Sequence, residues 1–132
     1  MCTHYNYTHN PNSSNWQEHF QCRKDSVDAE PSTLLSFGQL SVVEGRPGEM
    51  TASVGGAPPA EYWVLDVVED GRDYSQSLLY ACTNNIMKEE YIYMFSRTQE
   101  VDYALLKQWM GDLRDKGVDV SGVVLIPQNG CW

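Results

Sequence analysis

Three histidines and a cysteine stand near the start of the chain, His4, His9, His19 and Cys22. Imidazole and thiolate are the usual zinc ligands, but these positions do not have the Cys-x-x-Cys or His-x-x-x-His spacing of a ligand set, so no metal site is predicted. Cys22 is followed by Arg23 and Lys24, cations that would lower its pKa and make it nucleophilic if it were not in a disulfide. The carboxylate pairs Glu69-Asp70 and Glu89-Glu90 fall in turns and read as solvated surface rather than as acid/base pairs. Gly55-Gly56 sits in a Pro-rich turn with no lysine after it, which excludes a phosphate loop. No set of residues argues a reaction: the expectation is no catalytic residue, no cofactor and no enzyme.

The aromatic residues offer a different chemistry, that of binding. In EYIYMFSR, strand alternation puts Tyr91, Tyr93 and Phe95 on one face and Ile92 and Met94 on the other. In CTHYNYT, Tyr5 and Tyr7 share one face, with His4 and Asn6 on the other. Such a face either stacks on an apolar ligand and orients it through tyrosine hydroxyls, or simply fills a core.

The elements that would hold these residues are mostly strands. EYWVLDVV, YSQSLLYACT and EYIYMFSR, rich in β-formers and bounded by polar or Gly-containing turns, predict an antiparallel meander over residues 61–97. Upstream, CTHYNYT, WQEHFQCRK, LLSFGQLSVV (34–43, with Gly38 a candidate bulge) and EMTASV read as further strands. NPNSSN, EGRPG and GGAPP read as turns, and DSVDAEPS as a linker. After Arg97 the period changes. Val101, Ala104, Leu105, Gln108, Trp109 and Leu113 recur at three and four residues and predict an amphipathic helix over about 100–116. Thr98 or Asp102 is its candidate cap, and Lys116-Gly117 its stop. A last short strand is expected in VDVSGVVLIPQNGCW.

At 132 residues the chain is one domain, residues 1–132. Nine Lys plus Arg against 18 Asp plus Glu give a net charge of -9 without a basic stripe, which argues against a nucleic-acid partner. No apolar run is long enough for a membrane-spanning helix, so a soluble chain is expected. Four cysteines and the sequons at Asn6 (Asn6-Tyr7-Thr8) and Asn12 (Asn12-Ser13-Ser14) point to a secreted, glycosylated protein. Residues 1–20 have neither the basic nor the apolar region of a signal peptide, which predicts a mature fragment or an incomplete gene product.

Several short motifs together give the chain a family resemblance. Phe95-Ser96-Arg97-Thr98 before the helix, Gly71-Arg72-Asp73-Tyr74 between two strands, Leu79-Tyr80-Ala81-Cys82, and the run from Asp119-Val120-Ser121 to Cys131 are similar to lipocalin sequences of the apolipoprotein D type. The resemblance implies an up-and-down antiparallel β-barrel around a cavity, with one C-terminal α-helix packed outside. The family's Gly-x-Trp block on its first strand is absent, and residues 2–8 look like the second strand. An open or frayed barrel with two unpaired edges is therefore expected, with possible self-association. The family's arginine at position 97 packs across the tryptophan of the missing block, leaving Trp16, Trp109 or Trp132 as substitutes.

The resemblance also pairs Cys2 with Cys131, a loop whose closure is worth about 4–5 kcal/mol. It leaves Cys82 to pair with Cys22 or remain a thiol. It assigns Tyr7, Tyr62, Leu79, Tyr91, Tyr93 and Phe95 to a lumen that binds a small hydrophobic ligand such as a fatty acid, sterol, retinoid or tetrapyrrole, and turns Trp63 outward or to the rim. The alternative is a truncated lipocalin without a closed pocket, an interaction protein or a non-functional isoform. An enzymatic reading by analogy has no catalytic residue to rest on.

Overall fold

The computed structural model describes residues 2–32, 38–83 and 88–131. Seven strands, β1 (Thr3–His9), β2 (Asn15–Cys22), β3 (Gly38–Val42), β4 (Glu49–Val54), β5 (Ala60–Asp70), β6 (Asp73–Thr83) and β7 (Glu89–Ser96), form one sheet in chain order, every neighbouring pair antiparallel. The sheet curls into an open half-barrel, and among the described residues its edge strands β1 and β7 share no ladder. The helix α1 (Tyr103–Asp115) lies against its convex side.

Alternation divides the side chains between two apolar clusters. On the concave side Leu40, Tyr62, Leu79 and Ala81 are buried, with Tyr7, Met50, Ala52, Val64, Tyr93 and Phe95 packed around them. On the convex side Leu78, Trp109, Leu113 and Val120 are buried, joined by Ile92, Met94 and Leu105. The consecutive leucines of β6 thus serve opposite faces, as a strand covered on both sides requires. Ile92 and Met94 form the expected aliphatic seat for Leu105 and Trp109.

A bulge in β5 makes the helix contact possible. Val64 pairs with Leu79 and Asp66 with Leu78, so the extra residue Leu65 reverses the alternation and turns Asp66 outward. There its carboxylate accepts a 2.7 Å hydrogen bond from Trp109 Nε1, whose ring is almost fully buried. Gly38, expected as a bulge, instead pairs in regular register with Glu18 and Val54. The residues before it, 33–37, lie outside the described residues.

The helix starts at Tyr103 rather than near residue 100 because Asp102, one of the two expected caps, accepts hydrogen bonds from the N–H groups of Ala104 and Leu105. The β5–β6 hairpin turns over Gly71 and Arg72; Gly71 has φ +66°, the first position of a II′ turn. The DSVDAEPS segment is organised, since Arg23 donates to the carbonyls of Val27 and Ala29.

The expected last strand does not form. Residues 118–131 run as turns and irregular chain, with local bonds such as Val123 N–H to Val120 C=O. Val120 is buried, while Val124, Leu125 and Ile126 face solvent. Cys131 is disulfide-bonded to Cys2, and this tail then caps the first residue of the β1 edge. With its amide oxygen turned to the donors, Gln128 accepts from Thr3 N–H (3.3 Å) and Thr3 Oγ1 (3.1 Å) and donates to Thr3 C=O (3.3 Å). Cys22 and Cys82, on β2 and β6, are thiols and form no disulfide.

Candidate functional site

Side chains from both ends of the sheet meet on its concave face. Tyr5 and Tyr7 of β1 sit opposite Phe20 and Glu18 of β2 in register. Across the half-barrel, Tyr93 and Phe95 of β7 stand beside Leu79 and Ser77 of β6. The Tyr5 ring links the two groups: its centroid is 4.7 Å from Phe20, 4.6 Å from Phe95 and 6.3 Å from Tyr93. Tilted rings at these separations attract beyond their buried area. Side chains, not backbone hydrogen bonds, bring β1 and β7 together.

Next to the ring cluster lies a polar chain. Tyr7 donates from its hydroxyl to Glu18 Oε1 at 2.8 Å, and the Tyr7 and Tyr62 hydroxyl oxygens are 2.9 Å apart. With Tyr7 donating to the carboxylate, Tyr62 is the donor to Tyr7. The other carboxylate oxygen, Oε2, takes no hydrogen bond from a described residue and points toward Gly38, where a Cβ would lie 2.8 Å from it. Glycine at 38 is what leaves room for this carboxylate.

Burial sets the electrostatics. Desolvation raises the Glu18 carboxyl above its ordinary value, opposed by the bond from Tyr7. Desolvation likewise raises the phenols of Tyr5, Tyr7, Tyr62 and Tyr93, so all four are neutral at physiological pH.

Of the expected lumen residues, Tyr7, Tyr62, Leu79, Tyr93 and Phe95 belong to the concave cluster. Tyr91 shares their face and stacks on Tyr93, but it lies at the open rim, 41% exposed, with its hydroxyl donating to Glu89. Trp63 packs against Tyr80 rather than in the concave cluster. Tyr5, Glu18 and Phe20 are the additions. Tyr5 shares the face of Tyr7 in β1, and the signal for Glu18 and Phe20 was the alternation Trp16, Glu18, Phe20 in β2, masked by the polar residues interleaved with them.

Arg97 pairs with Asp73 at 2.9 Å and donates to Tyr74 C=O, clasping the β5–β6 turn. These partners, with the Tyr74 N–H bond first, lower the Asp73 carboxyl pKa. Neither candidate tryptophan takes the expected place: Trp109 is bonded to Asp66, and Trp16 packs edge-on against His9. Trp132 lies outside the described residues. His4, His19 and Asn6 share a shallow cleft on the convex face with Gln21, while His9 stands apart beside Trp16. Among the described residues no three His, Cys, Asp or Glu side chains converge as a metal site.

No protein-family model matches this sequence, and no curated protein does. Among solved structures, apocrustacyanin C2 superposes with a TM-score of 0.69 over 97% of this chain and 67% of its own, at 15% sequence identity. The fold is lipocalin-type. Bovine odorant binding protein, solved with a selenium-containing odorant, aligns over 96% of this chain and 76% of its own with a TM-score of 0.49 and 13% identity. In lipocalin-type terms, the ring cluster and the Tyr62–Tyr7–Glu18 chain occupy the inner wall, and α1 packs on the outer one.

Proposed function

We propose that this protein binds a small, largely apolar molecule on the concave face of its lipocalin-type sheet, as an extracellular carrier of the apolipoprotein D type. The observation that carries this reading is the placement of Tyr5, Phe20, Tyr93 and Phe95 in one ring cluster beside two tyrosine hydroxyls. Burying apolar ligand area there contributes about 25 cal/mol per Å² removed from water, and the hydroxyls fix orientation. Tyr7, Tyr62, Leu79, Tyr93 and Phe95 form the binding wall, with Tyr91 at its mouth. The Cys2–Cys131 disulfide supports an oxidising compartment. Asn6 and Asn12 are exposed, Asn6 on the convex side and Asn12 in the β1–β2 turn, so glycans there leave the concave face clear.

Retinol, neutral and fluorescent, is a suitable probe. Tyr93→Ala is expected to weaken retinol binding about tenfold while the variant still unfolds cooperatively. Unchanged affinity would remove Tyr93 from the wall. A second reading, an interaction protein without a closed pocket, is favoured by the unladdered β1 and β7 edges. It predicts concentration-dependent dimers in sedimentation velocity together with no retinol binding.

A further inference from the structure

None of the seven strands contains a lysine or an arginine. The strand positions facing the concave side therefore offer an anionic ligand no lysine or arginine, only the imidazole of His9 at the end of β1 beside Trp16, and they do offer a carboxylate. Glu18 interacts electrostatically with Tyr5, Tyr7, Tyr62 and Tyr93, takes one hydrogen bond on Oε1 from Tyr7, and has Oε2 directed toward the space that Gly38 leaves. The ion pairs among the described residues, Arg46–Glu49, Lys88–Glu90 and Arg97–Asp73, do not involve it.

A partly dehydrated carboxylate with a spare acceptor oxygen is matched by a cationic N–H donor, which forms the stronger, charge-assisted class of hydrogen bond. The neighbouring rings of Tyr5, Tyr7 and Tyr93 supply the aromatic surface to which an ammonium group is attracted. Resting on the binding reading above, we infer that the concave face selects apolar molecules bearing a protonated amine, with Glu18 as the counter-ion and the tyrosine rings around it as the cage. A carboxylate-tailed ligand such as a fatty acid is disfavoured twice, by repulsion from Glu18 and by the absence of a lysine or arginine in the strands. Tyr7 and Tyr62 hold Glu18 in place, and Phe20, Tyr93 and Phe95 receive the hydrocarbon part.

The test compares decylamine, 1-decanol and decanoate by titration calorimetry at pH 7 with the full oxidised chain, three ligands of one chain length and three charges. Decylamine is expected to bind at least about tenfold tighter than decanol, with decanoate weakest. Glu18→Gln is expected to bring decylamine to the affinity that decanol shows for the same variant. Glu44→Gln, an exposed carboxylate in the β3–β4 turn, alters net charge equally and is expected to change nothing. If the Gln variant does not fold by near-UV dichroism, Glu18→Asp is expected to retain the ranking with a smaller spread. Decanol binding as tightly as decylamine overturns the inference while the apolar-ligand reading stands. An amine preference that survives Glu18→Gln overturns the role of Glu18. Failure of all three ligands to bind overturns both.

Discussion

Glu18 is the residue whose behaviour departs furthest from expectation. Its pKa is higher in the folded chain than in the unfolded one, so between those two values the native state binds more protons and stability falls as pH rises. Glu18→Gln removes that dependence and keeps an oxygen for the Tyr7 hydroxyl. The variant is therefore expected to gain in melting temperature relative to the native protein as pH is raised from 4 to 8, with the two converging at the acid end. A difference independent of pH would contradict the placement of Glu18. The phenols work in the alkaline range. Unfolded tyrosines ionise near pH 10 while Tyr5, Tyr7, Tyr62 and Tyr93 resist, so stability should fall above about pH 10. Absorbance at 295 nm should show part of the eight tyrosines titrating only as the chain unfolds. Alternation showed that Tyr5 and Tyr7 share one face and that Tyr93 and Phe95 share another, and the lipocalin resemblance turned those faces inward. Glu18 was not legible, because an acidic residue in a polar run reads as surface until the register places it opposite Tyr7.

At the scale of elements, strands β5 to β7 and the helix were legible because their patterns are long and regular. The VVLI run misled because composition cannot say whether a strand has an edge to pair with, and here its backbone bonds stay local. The bulge at Leu65 was equally invisible: nothing in EYWVLDVV marks the residue where alternation reverses. Its consequence is testable through the helix. Trp109→Phe keeps most of the buried ring but removes the bond to Asp66, and is expected to cost about 1.5–3 kcal/mol in denaturant unfolding, the range for a hydrogen bond to a charged group. A loss under about 0.5 kcal/mol would mean that the bond contributes little beyond packing. Asp102→Ala should cost about 1 kcal/mol by the same assay, since two helix N–H groups lose their acceptor.

For the whole molecule, the decisive feature is how an open sheet is held curled. Tyr5 reaches Phe95 and Tyr93 across the gap between the edge strands, and the Cys2–Cys131 bond ties the start of β1 to the tail that leaves the helix. The resemblance in the sequence indicated the disulfide and the openness, but not that an aromatic contact would span the edges. Cys131→Ser, which breaks the longest loop in the chain, should lower stability by about 4–5 kcal/mol in oxidised protein and do nothing once both are reduced. Whether this curled concave face forms one binding site is decided by titrating the oxidised protein with retinol while following energy transfer from its aromatic residues. Saturation near one equivalent, moved to about tenfold higher retinol in Tyr93→Ala, is the predicted result. A signal that rises without saturating, from a protein with native near-UV dichroism, would contradict it.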